Sequence, residues 1–196
     1  EGFDVDEDSF TQCGEISGEK VDCNDDSSAI FPGADEIADL VDNDCDGLID
    51  EGSWIIGDLL ITEIMANPLV VADNLGEWFE IHNASDREVF LDGLVIQSGS
   101  GENHQIESEG GVSLAPNEAL VLGLNSDTFI NGGVSLDYVY DGLVLSNQND
   151  EVSLWIFDET PSGNTATMLD QVYWDNGLTF PDQAGASMTL EPLFYG

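Results

Sequence analysis

The sequence predicts a mainly β protein in two parts, an antiparallel β-sandwich or barrel preceded by a small, loop-rich acidic segment. Three observations carry that reading. Brief β-type runs recur from Asp58 onward between Gly, Asn, Asp and Pro turns, and no stretch shows a helical period. Asp and Glu supply 18 of the first 52 residues but only 23 of the remaining 144, so acid density more than halves between the two parts. The division falls at 1–52 for the acidic segment, 53–57 (SWIIG) for a linker and 58–196 for the β part.

In chain order the strand runs are LLITEIM from Leu59, EWFEIHN from Glu77, GLVIQS from Gly93, ALVLGL from Ala119, LDYVY from Leu136, EVSLWIF from Glu151 and LDQVYW from Leu169. Alternation is clear in EWFEIHN, where Trp78, Glu80 and His82 face one side while Phe79 and Ile81 face the other. The expected core is drawn from such positions: Ile61, Phe79, Ile81, Val95, Leu120, Leu122, Val152 and Leu154. Trp78, Trp155 and Trp174 read as core or edge aromatics, and Glu63 and Glu80 as exposed or turn-bonded strand acids. A β part of about 140 residues can bury a core without covalent staples.

The acidic segment carries its own chemistry. In DNDCDGLIDEG, Asp42, Asp44 and Asp46 offer carboxylates at positions one, three and five, and Gly47 permits a sharp turn at six. Leu48 supplies a carbonyl at seven, and Asp50 and Glu51 follow. That is the opening of a Ca²⁺ loop, although Ser53 stands where an EF-hand places its bidentate Glu. A second run, DVDEDSF, alternates Asp4, Asp6 and Asp8, with Ser9 at the sixth position and Glu15 at the twelfth. A third cluster adds Asn24, Asp25 and Asp26. Crowded carboxylates repel, and a hard oxygen-loving cation relieves that repulsion, so Ca²⁺ is the expected ion. Asp4, Asp6, Asp8 and Asn24 to Asp26 either complete the Asp42 site or form another.

The segment CNDDSSAIFPGADEIADLVDNDCDGLIDEG resembles the MopE-type metal-binding repeat, an Asp-rich module found in tandem in secreted bacterial proteins. The segment holds no His, so copper chemistry is not implied despite the family's name. Copies of this repeat with two cysteines keep those equivalent to Cys23 and Cys45. The resemblance therefore implies that disulfide and leaves Cys13 without its usual partner; Cys13 with Cys23 is the alternative. Glu1-Gly2 reads as the end of a preceding copy, since Glu51-Gly52 closes this one, and the chain is expected to be an excerpt of a longer protein.

The blocks LLITEIMANP, GEWFEIHNASDREVFLDGLVIQS, LAPNEALVLG, LSNQNDEVSLWIFD, LDQVYW and GASMTLEP are similar to the bacterial form of the lamin tail domain. That resemblance implies an immunoglobulin-like β-sandwich and a non-catalytic accessory or anchoring role. Leu94 stands where the family usually places Trp, which implies a core substitution.

Forty-one acids against two bases, Lys20 and Arg87, give a net charge of −39 and argue against nucleic acid or an anionic membrane as a partner. The same imbalance fits a halophilic surface protein. An odd count of three cysteines in an exported chain predicts one disulfide and one leftover thiol. With two histidines, no His pair at metal spacing, no GxSxG elbow and no phosphate loop, the sequence predicts no enzyme. Asn83-Ala84-Ser85 is a formal glycosylation sequon. Two functions remain. One is a secreted or cell-surface structural or adhesive component, a calcium-stiffened spacer presenting an immunoglobulin-like module to other copies of itself, to matrix or to another cell. The other is the accessory region of a larger secreted hydrolase.

Overall fold

The run LLITEIM becomes β1 (Leu59–Met65) in a computed structural model that describes residues 3–12, 21–37, 41–47, 54–107, 111–160, 163–179 and 183–191. The chain divides into two units, Glu1–Ser53 and Trp54–Gly196. Trp54 lies in the segment expected as a linker, yet its ring packs against the core of the second unit and its Nε1–H donates to the Phe90 carbonyl at 2.8 Å. The second unit accordingly begins there.

After β1 come a single helical turn, α1 (Asp73–Gly76), then β2 (Trp78–Asn83), β3 (Val89–Phe90), β4 (Val95–Ser98), β5 (Asn103–Gln105), β6 (Ser113–Leu114), β7 (Ala119–Gly123), β8 (Tyr138–Val139), β9 (Asn149–Thr160), β10 (Gly163–Asp175) and β11 (Met188–Thr189). They form a five-stranded sheet ordered β11-β1-β2-β7-β8, a four-stranded sheet ordered β10-β9-β4-β5 and a two-stranded β3-β6 pair. Pairing is antiparallel except for β7 with β8, which run parallel in the register Leu122↔Tyr138 and Gly123↔Val139. The expected mainly β, antiparallel sandwich is thus present, with this one parallel pair as a local exception. The physical reason is the long connection 124–137, which has length enough to return the chain to the sheet in the same direction.

Alternation sets the faces. In β2, Phe79, Ile81 and Asn83 point inward while Trp78, Glu80 and His82 are half-buried. All eight expected core residues are buried, and seven of them join one cluster with Leu59, Ile64, Leu91, Ile96, Tyr140 and Trp174. Val95 is buried outside that cluster. Leu94 is fully buried, as the lamin tail resemblance implies for its position. Trp174 is buried with its Nε1–H satisfied by the Ser146 carbonyl at 2.8 Å, whereas Trp78 and Trp155 are half-buried. Asn83 is fully buried, and its Nδ2 donates to the Arg87 and Leu114 carbonyls, so the sequon is closed in the folded unit.

Candidate metal centre

The described residues of the first unit form no apolar core. Among its described residues only Asp22, Pro32 and Asn43 are buried, while Phe3, Val5 and Ile37 are exposed. Phe10 stacks on Phe31 with ring centroids 5.7 Å apart. A disulfide joins Cys23 and Cys45, the pair the repeat resemblance implies. Polar side chains order the rest. The Asn43 carbonyl accepts from Phe31 N–H, its Oδ1 accepts from Ile37 N–H, and Glu36 Oε1 accepts from the N–H groups of Asn43 and Asp44 at 2.7 and 2.8 Å.

The two acidic loops share one turn. Asp42 Oδ2 accepts the N–H of Gly47, which has φ 98°, at 3.0 Å. Asp4 Oδ2 accepts the N–H of Ser9, which has φ 84°, also at 3.0 Å. Ser9 thus takes the left-handed conformation that glycine adopts without penalty, and the departure from Gly at the sixth position costs strain rather than the turn.

Three carboxylate groups gather with ligand oxygens within 4.8 Å of one another: Asp4–Asp6–Asp8, Asp6–Asp22–Asp25 and Glu36–Asp42–Asp44. Like charges this close repel by about 1 kcal/mol per pair in water, and by several times that in less polar surroundings. Buried Oδ2 atoms of Asp6, Asp8 and Asp22 have no hydrogen-bond partner. Desolvation raises the pKa of the Asp6 carboxyl from its ordinary value, helped by the charges of Asp8, Asp22 and Asp4 and opposed by the Asp8 N–H bond. An all-oxygen donor set with unpartnered buried oxygens is what a hard cation needs.

Of the ligands read from sequence, Asp4, Asp6 and Asp8 converge, Asp25 joins Asp6, and Asp42 gathers with Asp44. Asp26 and Asp46 enter none of the three groups among the described residues. Asn24 Oδ1 is turned onto the Asp26 N–H at 3.4 Å. Leu48, Asp50 and Glu51 lie outside the described residues, as do Cys13 and Glu15. Sequence reasoning misses Asp22 and Glu36. Asp22 alternates with Asn24 and Asp26, a signal the sequence carried, whereas Glu36 in PGADEI falls on no alternating run.

The lamin tail domain family model matches residues 56–175, more than half of the chain. The chain belongs to the lamin tail domain family. A second family model, titled "Putative metal-binding motif" and of MopE type, matches residues 22–51, so the two follow one another along the sequence. No curated protein matches the chain.

The lamin tail unit also buries charge. Arg87 pairs with Asp58 at 2.6 Å. Glu63 accepts from the Ser187 hydroxyl, and Glu80 Oε1 from the Thr62 hydroxyl at 2.6 Å. Glu77, at the mouth of β2, is 1% exposed; its Oε2 accepts the Leu145 N–H at 3.0 Å, and its Oε1 has no partner. Desolvation raises its pKa to about 7, helped by the charges of Asp73, Asp150 and Glu102. Its neighbour in this field, Tyr140, has its hydroxyl pushed well above the ordinary range by burial and by Glu77. His104 on β5 places Nδ1 3.0 Å from Asp141 and Nε2 2.9 Å from the Tyr138 hydroxyl, which ties the edge of one sheet to the edge of the other.

Proposed function

We propose that this protein is a non-catalytic structural component of an exported or cell-surface assembly, in which Ca²⁺ stiffens the acidic unit and the lamin tail unit serves as the presented module. The carrying observation is the set of buried, unpartnered oxygens on Asp6, Asp8 and Asp22 in a unit whose described residues build no apolar core. Such a unit gains its folding free energy from a bound cation and a covalent link. Oxygen-only donors favour Ca²⁺ over soft metals. The Cys23–Cys45 disulfide supports an oxidising compartment.

A non-catalytic role is supported by how the lamin tail unit spends its polar groups. Both ring nitrogens of His104 are engaged, and the open groove of about 770 Å³ beside β1 and β10 holds Glu63 and Asp170, each of which accepts a protein donor through one carboxylate oxygen. Contact with a partner is supported by Leu69 and Val70, exposed on a loop that lines a cavity with Asn131 and Gly132, and by exposed Phe129. Calcium titration calorimetry of the whole chain tests the reading. Saturable heat at millimolar Ca²⁺ or below, reversed by chelator, is the expected result; its absence would sink the proposal.

A further inference from the structure

We propose that Asp6, Asp22 and Asp25 hold a Ca²⁺ ion of their own, a clamp that fastens residues 3–12 onto the loop 21–31, separate from an ion at Glu36, Asp42 and Asp44. This rests on the calcium reading above and assigns ligands within it. These two of the three carboxylate groups share no residue, while Asp6 also belongs to the Asp4–Asp6–Asp8 group beside the clamp. Ligand oxygens of one Ca²⁺ lie about 2.3 to 2.6 Å from the ion, so those on opposite sides of it are at most about 5 Å apart. Each group meets that limit separately, and no group among the described residues mixes them.

Asp22 makes the first group more than a solvated acidic turn. It is 1% exposed; Oδ1 accepts the Asn24 N–H at 2.7 Å, and Oδ2 is buried without a partner. Burying a carboxylate oxygen unpaired is costly, and a cation supplies the missing partner. Asp6 brings a second unpartnered Oδ2 from a different stretch of chain. Those stretches already meet at either side of the group, through Asp22 N–H to the Thr11 carbonyl at 3.2 Å and Val5 N–H to Asp25 Oδ1 at 3.0 Å. An ion between them would therefore join stretches that hydrogen bonds already hold together. Because the motif match starts at residue 22, the clamp takes Asp6 from outside the matched segment.

The test is the number and affinity of Ca²⁺ ions bound by the full chain, read by native mass spectrometry and calorimetry, for Asp22→Asn, Asp25→Asn and Asp42→Asn. Asp25→Asn is the milder change, since an amide oxygen can still accept from Val5, and an intact Cys23–Cys45 link by peptide mapping checks its fold. Expected is the loss of one ion, or at least tenfold weaker binding of it, in Asp22→Asn and in Asp25→Asn. Asp42→Asn loses a different ion, and the Asp22/Asp42 double variant loses both. Wild-type count and affinity in Asp22→Asn and Asp25→Asn would overturn the clamp while leaving calcium binding intact. A wild-type chain that binds no Ca²⁺ overturns the calcium reading itself.

Discussion

The Asp170 carboxylate reaches across from β10 to accept the backbone N–H of Ile61 in β1 at 2.7 Å, joining residues 109 apart in sequence. The β9–β10 register shifts between Met168 and Asp170, a bulge that re-aims the strand at this point. Ile61 is buried, so its amide needs a partner. Asp170→Ala is expected to cost about 1–3 kcal/mol in urea unfolding, the range for stranding a buried donor. Asp170→Asn, which keeps an acceptor, should cost clearly less. Equal costs for the two variants would show that the bond is not what matters.

The opposite opening of the sandwich is laced by the Tyr138 hydroxyl, which meets His104 Nε2 at 2.9 Å and accepts the Glu107 N–H at 3.2 Å. Tyr138→Phe removes these contacts, and the longer one to the Glu107 carbonyl at 3.4 Å, while keeping the ring. A loss of about 1–2 kcal/mol, with faster hydrogen exchange at the Glu107 amide than at Leu122, is the expected outcome. Uniform acceleration across both sheets would contradict a local tie.

Glu77 gives the lamin tail unit a pH dependence of definite sign. Its folded pKa of about 7 lies above the ordinary 4.5, so the folded state holds the proton more tightly than the unfolded one. Stability from this group is complete below about 4.5 and is lost as pH rises through about 7, by at most about 3 kcal/mol. Glu77→Gln carries no such charge. Its stability relative to the natural chain should therefore improve between about pH 4.5 and 7 and level off above that. A difference that stays constant with pH would remove Glu77 from the account.

Chelation should unfold the acidic unit and spare the sandwich. The first unit has three buried residues among those described, two of them polar, whereas the second has an extended apolar cluster. Hydrogen exchange in chelator is expected to speed amides up to about Gly47 and leave β1, β2 and β9 slow. Reducing the Cys23–Cys45 link, which closes a separation of 22 residues, should remove about a further 3 kcal/mol from the first unit in the chain-entropy account. Simultaneous loss of protection in both units would place the ion's influence in the sandwich.

The second unit was most legible where burial is one-sided. β2 follows its apolar alternation residue for residue, because a half-buried strand must expose every second side chain, whereas β1 breaks it where the register shifts between Ile61 and Glu63. β9 and β10 run past the apolar stretches that announce them, to Asn149–Thr160 and Gly163–Asp175, since cross-strand backbone bonds extend a hairpin where no hydrophobic pattern marks it. β8 shrank to Tyr138–Val139 because it pairs in parallel with only two residues of β7.

By itself the sequence determined that carboxylates crowd the first unit and that apolar strands build the second, since composition and period fix which atoms must leave water and which charges need company. Only the tertiary structure decided that Asp22 and Glu36 gather with carboxylates from elsewhere in the chain, and that Glu77 is buried among other acids. The physical reason is distance. Spacing along the chain sets geometry within one turn or strand, whereas carboxylates from separate stretches meet only where backbone bonds such as Asp22 to Thr11 and Phe31 to Asn43 bring those stretches together.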